Sequence, residues 1–210
     1  MYEKLKALGL EVTSVLDIGA NIGEFTTVCS RYIWPEAKYV MIEANKKCEE
    51  SLKKVGHEYY IDVLGTDDGK DIVFYMTKEN ETGTGNSTYK ENTRHYSNDK
   101  LIEEHRVTRK LDTLLGDKEF DLIKMDTQGS ELDIIIGGES IIKKARYVLI
   151  EASLVEYNIG APKKNDIIEH MKSIGFNNFM NIADHVYGGD DASSFRKGQV
   201  IQQDILFFKD

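Results

Sequence analysis

The sequence predicts an α/β fold organised on a doubly wound, mostly parallel sheet, and three observations carry that prediction. Short apolar runs alternate with stretches of helical spacing along most of the chain, the pattern that covers both faces of a parallel sheet with helices. The run Val15-Leu16 with Ile18 passes straight into a glycine turn and a helix pattern. Strand, tight turn and helix in that order present main-chain amides to a nucleotide-like ligand. Three of the strand-like runs end in a carboxylate, at Glu43, Asp126 and Glu151. Ligands of open α/β sheets bind outside the carboxyl ends of the strands, and an acid there has no packing purpose.

The elements follow in order. Tyr2 to Leu10 reads as a short amphipathic helix, and Val15 to Ile18 as a buried strand. Ile22, Phe25, Thr26, Cys29 and Ile33 share one helix face, with Asn21 as cap, Glu24 completing a capping box and Pro35 ending the helix. Tyr39 to Glu43 is a second strand, and Asn45 to Lys54 a helix closed by Gly56. Glu58 to Leu64 is a third strand; Asp67-Asp68-Gly69 then turns it into a hairpin with Ile72 to Met76. Thr77 to Asp99 is a long polar loop, either a substrate lid or a surface loop. Order returns at Val107 to Leu115. Phe120 to Asp126 is a strand, Thr127-Gln128-Gly129 a turn, and Ser130 begins a helix with Leu132, Ile135 and Ile136 on its apolar face. Tyr147 to Glu151 is the next strand and Pro162 to Ser173 a helix stopped at Gly175. Phe176 to Ile182 and Asp204 to Phe208 read as a final antiparallel pair joined by a polar loop over Tyr187 to Gly198.

Composition bounds the rest. A chain of 210 residues with 40% hydrophobic and 30% charged residues suits a single domain, 1–210, with a full core. A formal net charge of -9 without a basic block argues against nucleic acid as a partner. Cys29 and Cys48 give neither a disulfide framework nor a zinc spacing. No long apolar run marks a signal peptide or a membrane span, so the expected compartment is the cytoplasm.

The chemistry is read from the strand ends. Only Gly19 and Gly23 are present where a dinucleotide fingerprint has three glycines, and Asp17 precedes the first. A carboxylate there suits a cationic group better than a pyrophosphate. Glu43, a little over twenty positions after Gly19, stands where such folds put an acid on ribose hydroxyls. Asp126 reads as a general base or a hard-cation ligand, with helix capping as the plain alternative; Glu151 is the second candidate for either role. His95, His105, His170 and His185 rank below Asp126 as bases, with His95 and His185 placed in loops that could close over the site. Lys124 reads as structural or as a partner for a carboxylate.

Asp17-Ile18-Gly19-Ala20-Asn21-Ile22-Gly23 resembles motif I of the class I S-adenosylmethionine (SAM)-dependent methyltransferases. Together with Lys110-Leu111-Asp112-Thr113-Leu114, Ile123 to Leu132, Glu151 to Tyr157 and Gln203 to Phe207, it makes the chain resemble the FkbM methyltransferase family from residue 14 to 208. The resemblance implies a seven-stranded class I sheet with an antiparallel C-terminal strand, SAM as cofactor and methyl transfer, commonly to a hydroxyl on a sugar, glycan or natural product. It implies a donor site from Asp17, Gly19, Ala20, Asn21, Gly23, Phe25, Thr26, Glu43 and Asn45. The catalytic candidates are Asp126 and Glu151, as base or as ligands of Mg²⁺. Ser87, Gln128, Ser153 and Tyr157 are the acceptor-side candidates for a small-molecule or glycan substrate. A nicotinamide-dependent oxidoreductase and a non-catalytic nucleotide-binding module are the rival readings. The first lacks its three-glycine fingerprint, and the second has no use for acids at both Asp126 and Glu151.

Overall fold

A computed structural model describes residues 1–78, 82–93, 96–97, 99–189 and 195–209. The elements are α1 (Tyr2–Ala7), β1 (Ser14–Ile18), α2 (Glu24–Tyr32), β2 (Lys38–Glu43), α3 (Glu49–Val55), β3 (Glu58–Ile61), β4 (Val63–Leu64), β5 (Asp71–Thr77), β6 (Leu101–Arg109), α4 (Leu111–Leu115), β7 (Leu122–Met125), α5 (Glu131–Gly137), α6 (Glu139–Ile142), β8 (Tyr147–Ser153), α7 (Lys164–Ser173), β9 (Asn178–Val186) and β10 (Val200–Phe208). Seven strands form the main sheet in the order β3-β2-β1-β7-β8-β10-β9. Its first five are parallel, and β10 runs antiparallel between β8 and β9. The chain leaves β1 on one side through β2 and β3 and returns on the other at β7. The direction of winding therefore reverses at β1, where a crevice opens at the strand ends.

The period-two alternation of the strands decides what each sheet face buries. Leu16, Ile18, Val40, Ile42, Ile123, Met125, Val148 and Ile150 pack with Ile134 and Ile135 of α5, Ile141 and Ile142 of α6, and Ile167 and Met171 of α7. On the other face Val15, Tyr39, Leu122, Leu149 and Leu206 meet Leu5 of α1, Phe25 and Cys29 of α2, and Trp34. Each fully buried aliphatic side chain contributes about 1.5–3 kcal/mol. These two layers therefore hold the strand ends, and the acids on them, in fixed positions.

The structure departs from the sequence-based expectations at several places; Ile136, expected on the apolar face of α5, is 42% exposed, and Ile134 takes its place in the core. The capping box does not form: Asn21 sits at φ 49°, and Gly23 at φ 82° is the residue before α2, with no side-chain cap. The Asn21 amide donates instead to Glu43, so the turn is tied to β2 and not to its own helix. With α2 delayed to Glu24, Ile22 falls outside the core and is 46% exposed. The stretch 58–64 is two strands, because Val63–Leu64 leaves the main sheet to pair with Thr108 and Arg109 of β6. The strand at 71–77 does not form a hairpin with it; its antiparallel partner is β6, from Asp71 opposite Val107 to Thr77 opposite Leu101. A small second sheet, β4-β6-β5, results. Finally β9 runs on to Val186, so His185 is a strand residue and not part of a loop. His105 lies on β6 and His170 in α7, while His95 falls outside the described residues.

Candidate active site

The glycine turn after β1 is shaped by its neighbours. A Cβ on Gly19 would lie 1.8 Å from the Asp126 carbonyl oxygen, and its φ is +73°. The absence of a side chain there is what lets the ends of β1 and β7 touch. Gly19 and Asn21 nevertheless face a cavity with Glu43, Asp62, Ser87 and Asp126. Its apolar wall is Ile18, Ile42, Val63, Leu64, Phe74 and Ile134. Thus the crevice at the winding reversal combines an apolar slot, a glycine turn and three carboxylates.

Glu43, at the end of β2, is buried and accepts the main-chain N–H groups of Asn21 and Asn45, each at 2.7 Å and each on a different oxygen. Burial pushes its carboxyl pKa up, against the pull of those two amides. Each oxygen keeps a second lone-pair direction for a ligand hydroxyl. Asn45 is buried, and its side chain caps the 3₁₀ turn that follows by accepting from Lys47 N. It shapes the loop behind Glu43.

Asp17 lies elsewhere. It is fully buried on the α2 face of β1, opposite Lys124 in the parallel register with β7. Its Oδ2 accepts from Thr26 Oγ1 at 2.8 Å, and its Oδ1 is 3.4 Å from Lys124 Nζ. Lys124 also reaches Asp126 at 3.5 Å and donates to the Gly19 carbonyl at 3.2 Å. Its Nζ sits over the Phe25 ring, 5.7 Å from the centroid. Burial alone would lower the Lys124 pKa, but the Asp17, Asp126 and Glu151 charges outweigh it and hold the ammonium charged. Asp17, Phe25 and Thr26 therefore support the turn from behind, and none of them lines the cavity. Ala20 and Gly23 pack against the neighbouring layer, Ala20 with Met41 and Leu52, Gly23 against Val55.

At the ends of β7 and β8 the acids are linked by one amide. Gln128, at φ 55°, donates through Nε2 to Asp126 Oδ1 at 2.9 Å and to Glu151 Oε2 at 2.6 Å. Gln202 on β10 adds a second donor to Glu151 Oε2 at 2.9 Å. Asp126 caps no helix. That part of the turn is held by Glu131, whose carboxylate accepts from Thr127 N and Gly129 N. Burial pushes Glu131 up to about 7. Glu151 is raised as well, first by burial and then by the Asp126, Glu131 and Asp204 charges.

The polar segment after residue 81 closes over this edge. Gly83, Thr84, Asn86, Ser87 and Thr88 line the cavity. The segment is pinned by Asn21 Nδ2 donating to the Thr82 carbonyl, Ser87 Oγ to the Thr127 carbonyl, and Tyr89 OH to Asp133. Ser87 thus belongs to the cavity that Glu43 lines. Tyr157 does not line it; its ring stacks near Phe195, and its backbone carbonyl accepts from Asn92. Ser153 is buried on β8 opposite Gln202.

Sequence reasoning missed Asp62 and Asp204, and it placed His185, ranked below Asp126 as a base, in a loop and not on β9. Asp62 follows β3 as Glu43 ends β2, and the rule that found Glu43 would have found it had the third strand been ended at Asp62, two residues earlier. Asp204 is opposite Glu151 in the β8–β10 register. The sequence reading paired the Asp204 strand with the one over Phe176 to Ile182 and gave it no place beside Glu151.

Similarity to known proteins agrees with this geometry. The family described as methyltransferase FkbM domain matches residues 17–177. No curated protein matches the sequence. A solved methyltransferase FkbM from Methylobacillus flagellatus KT superposes with a TM-score of 0.59 at 18% identity, over 95% of this chain and 45% of that one. The chain thus spans less than half the length of that protein. The O-methyltransferase TomG from Streptomyces achromogenes, solved in complex with SAM, superposes with a TM-score of 0.52 at 14% identity over 100% of this chain and 81% of that one. A precorrin-6y C5,15-methyltransferase from Geobacter metallireducens GS-15 gives 0.51 at 14% identity, over 99% and 87%. These likenesses establish a class I methyltransferase fold, and by its sequence match the chain belongs to the methyltransferase FkbM domain family.

Proposed function

We propose that this domain transfers the methyl group of SAM to a hydroxyl oxygen of a small molecule, such as a sugar, glycan or natural product. The observation that carries the reading is the composition of the cavity at the winding reversal. Glu43 and Asp62 stand at the ends of neighbouring strands, beside an apolar slot and a glycine turn, with Asp126 on the same wall. That donor set fits an adenosine: carboxylate oxygens for a ribose diol, aliphatic side chains for a purine face. SAM supplies a methyl group on a sulfonium, already activated for transfer, so the protein's own work is to orient an acceptor oxygen, exclude water and take a proton. Orientation alone can contribute about 7–11 kcal/mol.

Asp126 takes the proton in this reading. It is about a third exposed, lies on the cavity wall and is held by Gln128 and Lys124. Glu151, raised and buried, acts through Gln128 to orient it. A hard cation shared by Asp126 and Glu151 fits less well, because the Gln128 amide nitrogen fills the space where such an ion would bridge the two carboxylates. Ser87 and its segment close the cavity.

The test is Asp126→Asn. S-adenosylhomocysteine release is followed with a panel of monosaccharides, nucleotide sugars and hydroxylated polyketides, and SAM affinity by calorimetry. SAM should bind nearly as tightly as to the unaltered chain, while turnover falls by about 10²–10⁴. Full activity in the variant removes Asp126 from the chemistry.

A further inference from the structure

Beyond the cavity, three ligand-type side chains from three adjacent strands converge. They are Glu151 on β8, His185 on β9 and Asp204 on β10, and one donor atom of each lies within 4.8 Å of the others. His185 Nε2 is 3.0 Å from Asp204 Oδ2 and 3.6 Å from Glu151 Oε1. We propose that these residues form a binding site for a first-row divalent transition cation, with Zn²⁺ or Mn²⁺ as the fitting ions.

Geometry is the first argument. With metal–ligand bonds of about 2.0–2.2 Å, neighbouring donors in octahedral or tetrahedral coordination stand roughly 2.8–3.6 Å apart, and both measured separations fall in that interval. Hydrogen bonding is the second. His185 Nε2 is buried yet makes no hydrogen bond, although two carboxylate oxygens are close to it. A ring N–H that served these oxygens would point at one of them. Glu151 has its Oε2 filled by Gln128 and Gln202, which leaves Oε1 on the His185 side. Asp204 is only 6% exposed, and among the described residues the His185 ring is the one basic group within ion-pair distance.

Charge is the third argument. Asp126, Glu151 and Asp204 are three carboxylates at one strand edge. Lys124, the nearest ammonium, is already shared between Asp17 and Asp126. Buried carboxylates without compensation are costly; a protonated His185 supplies at most one positive charge here, and one divalent ion at Oε1, Oδ2 and Nε2 would supply two. An imidazole with two carboxylates suits Zn²⁺ or Mn²⁺ better than Mg²⁺, which favours oxygen donors and retained water. Both cysteines are buried away from this face and do not compete for the ion. Through Glu151 Oε2 and Gln128 the ion would also fix the orientation of Asp126.

The site stands on these residues alone and does not depend on methyl transfer, so its test uses no turnover. The full chain, free of any affinity tag and stripped with chelator, is titrated calorimetrically with Zn²⁺ and with Mn²⁺. One ion per chain is expected, and His185→Ala and Asp204→Asn should each weaken binding by at least about tenfold, the loss that even indirect support of a metal ligand incurs. Mn²⁺ line broadening in NMR spectra of the unaltered chain gives the position independently of any variant. Broadening centred on the amides of residues 151, 185 and 204 supports the site. No stoichiometric binding, equal binding by both variants, or broadening centred elsewhere overturns it.

Discussion

Lys124 shows most directly how single residues govern this site. It is a strand residue whose ammonium is enclosed between Asp17, Asp126, the Gly19 carbonyl and the Phe25 ring. A buried pair contributes little net stability, but removing one partner leaves the other charged and uncompensated. Lys124→Met should therefore cost about 3–5 kcal/mol in urea denaturation. Lys124→Met combined with Asp17→Asn should recover most of that loss, because the orphaned charge goes too. If the double variant is as unstable as the single one, the ion pair is not what holds this turn. The place of Asp17 before Gly19 marked it as a donor-site acid, but its direction, toward Thr26 and Lys124 and away from the cavity, was not legible. Alternation puts Ile18 on the cavity face and Asp17 on the other, and the Lys124 opposite it becomes visible only with the β1–β7 register.

Among the elements, the turns at the strand ends carry the strongest demands. Gly19→Ala should destabilise more than Gly23→Ala in thermal melts. At Gly19 the new Cβ meets a backbone oxygen at 1.8 Å; at Gly23 it meets a Val55 methyl at 2.6 Å, which can rotate away. Equal melting temperatures would mean that β1 and β7 can separate freely. The turn after β7 adds a pH dependence. Folded Glu131 titrates near 7, against about 4.3 for an unfolded glutamate. Between those values the folded chain holds a proton that the unfolded chain has lost, so the contribution is fully present below about pH 4, falls as pH rises to about 7 and is level above. Glu43 and Glu151 are raised in the same direction. Glu131→Gln should therefore flatten part of the slope, on the order of 3 kcal/mol over the window, in denaturation series from pH 4 to 8; an unchanged slope would exclude Glu131 as its source. The sequence showed the main sheet well, because its central strands β1, β2, β7 and β8 are buried on both faces. It hid β6, where Glu103, Glu104, His105 and Arg106 leave no apolar rhythm, and with β6 the second sheet and the true partner of β5.

For the whole molecule, the segment 82–89 turns an open sheet edge into an enclosed cavity. It is tied to the β1 turn at Asn21, to the β7 turn at Thr127 and to α5 at Asp133. In the proposed reading the donor lies under this segment, and its entry requires these ties to loosen. Amide hydrogen exchange over residues 83–88 should slow when SAM is added; unchanged exchange at saturating SAM would separate the segment from the donor site. The antiparallel insertion of β10 has a consequence in time. In the main sheet β9 pairs with β10 alone, yet it is made first, so during synthesis a nearly complete strand must wait for residues up to 208. At ~5–20 residues per second that wait is about one to four seconds. Through that interval β9, with Phe179 and Ile182, has no partner in the main sheet, and any pause in translation between residues 187 and 199 prolongs that state.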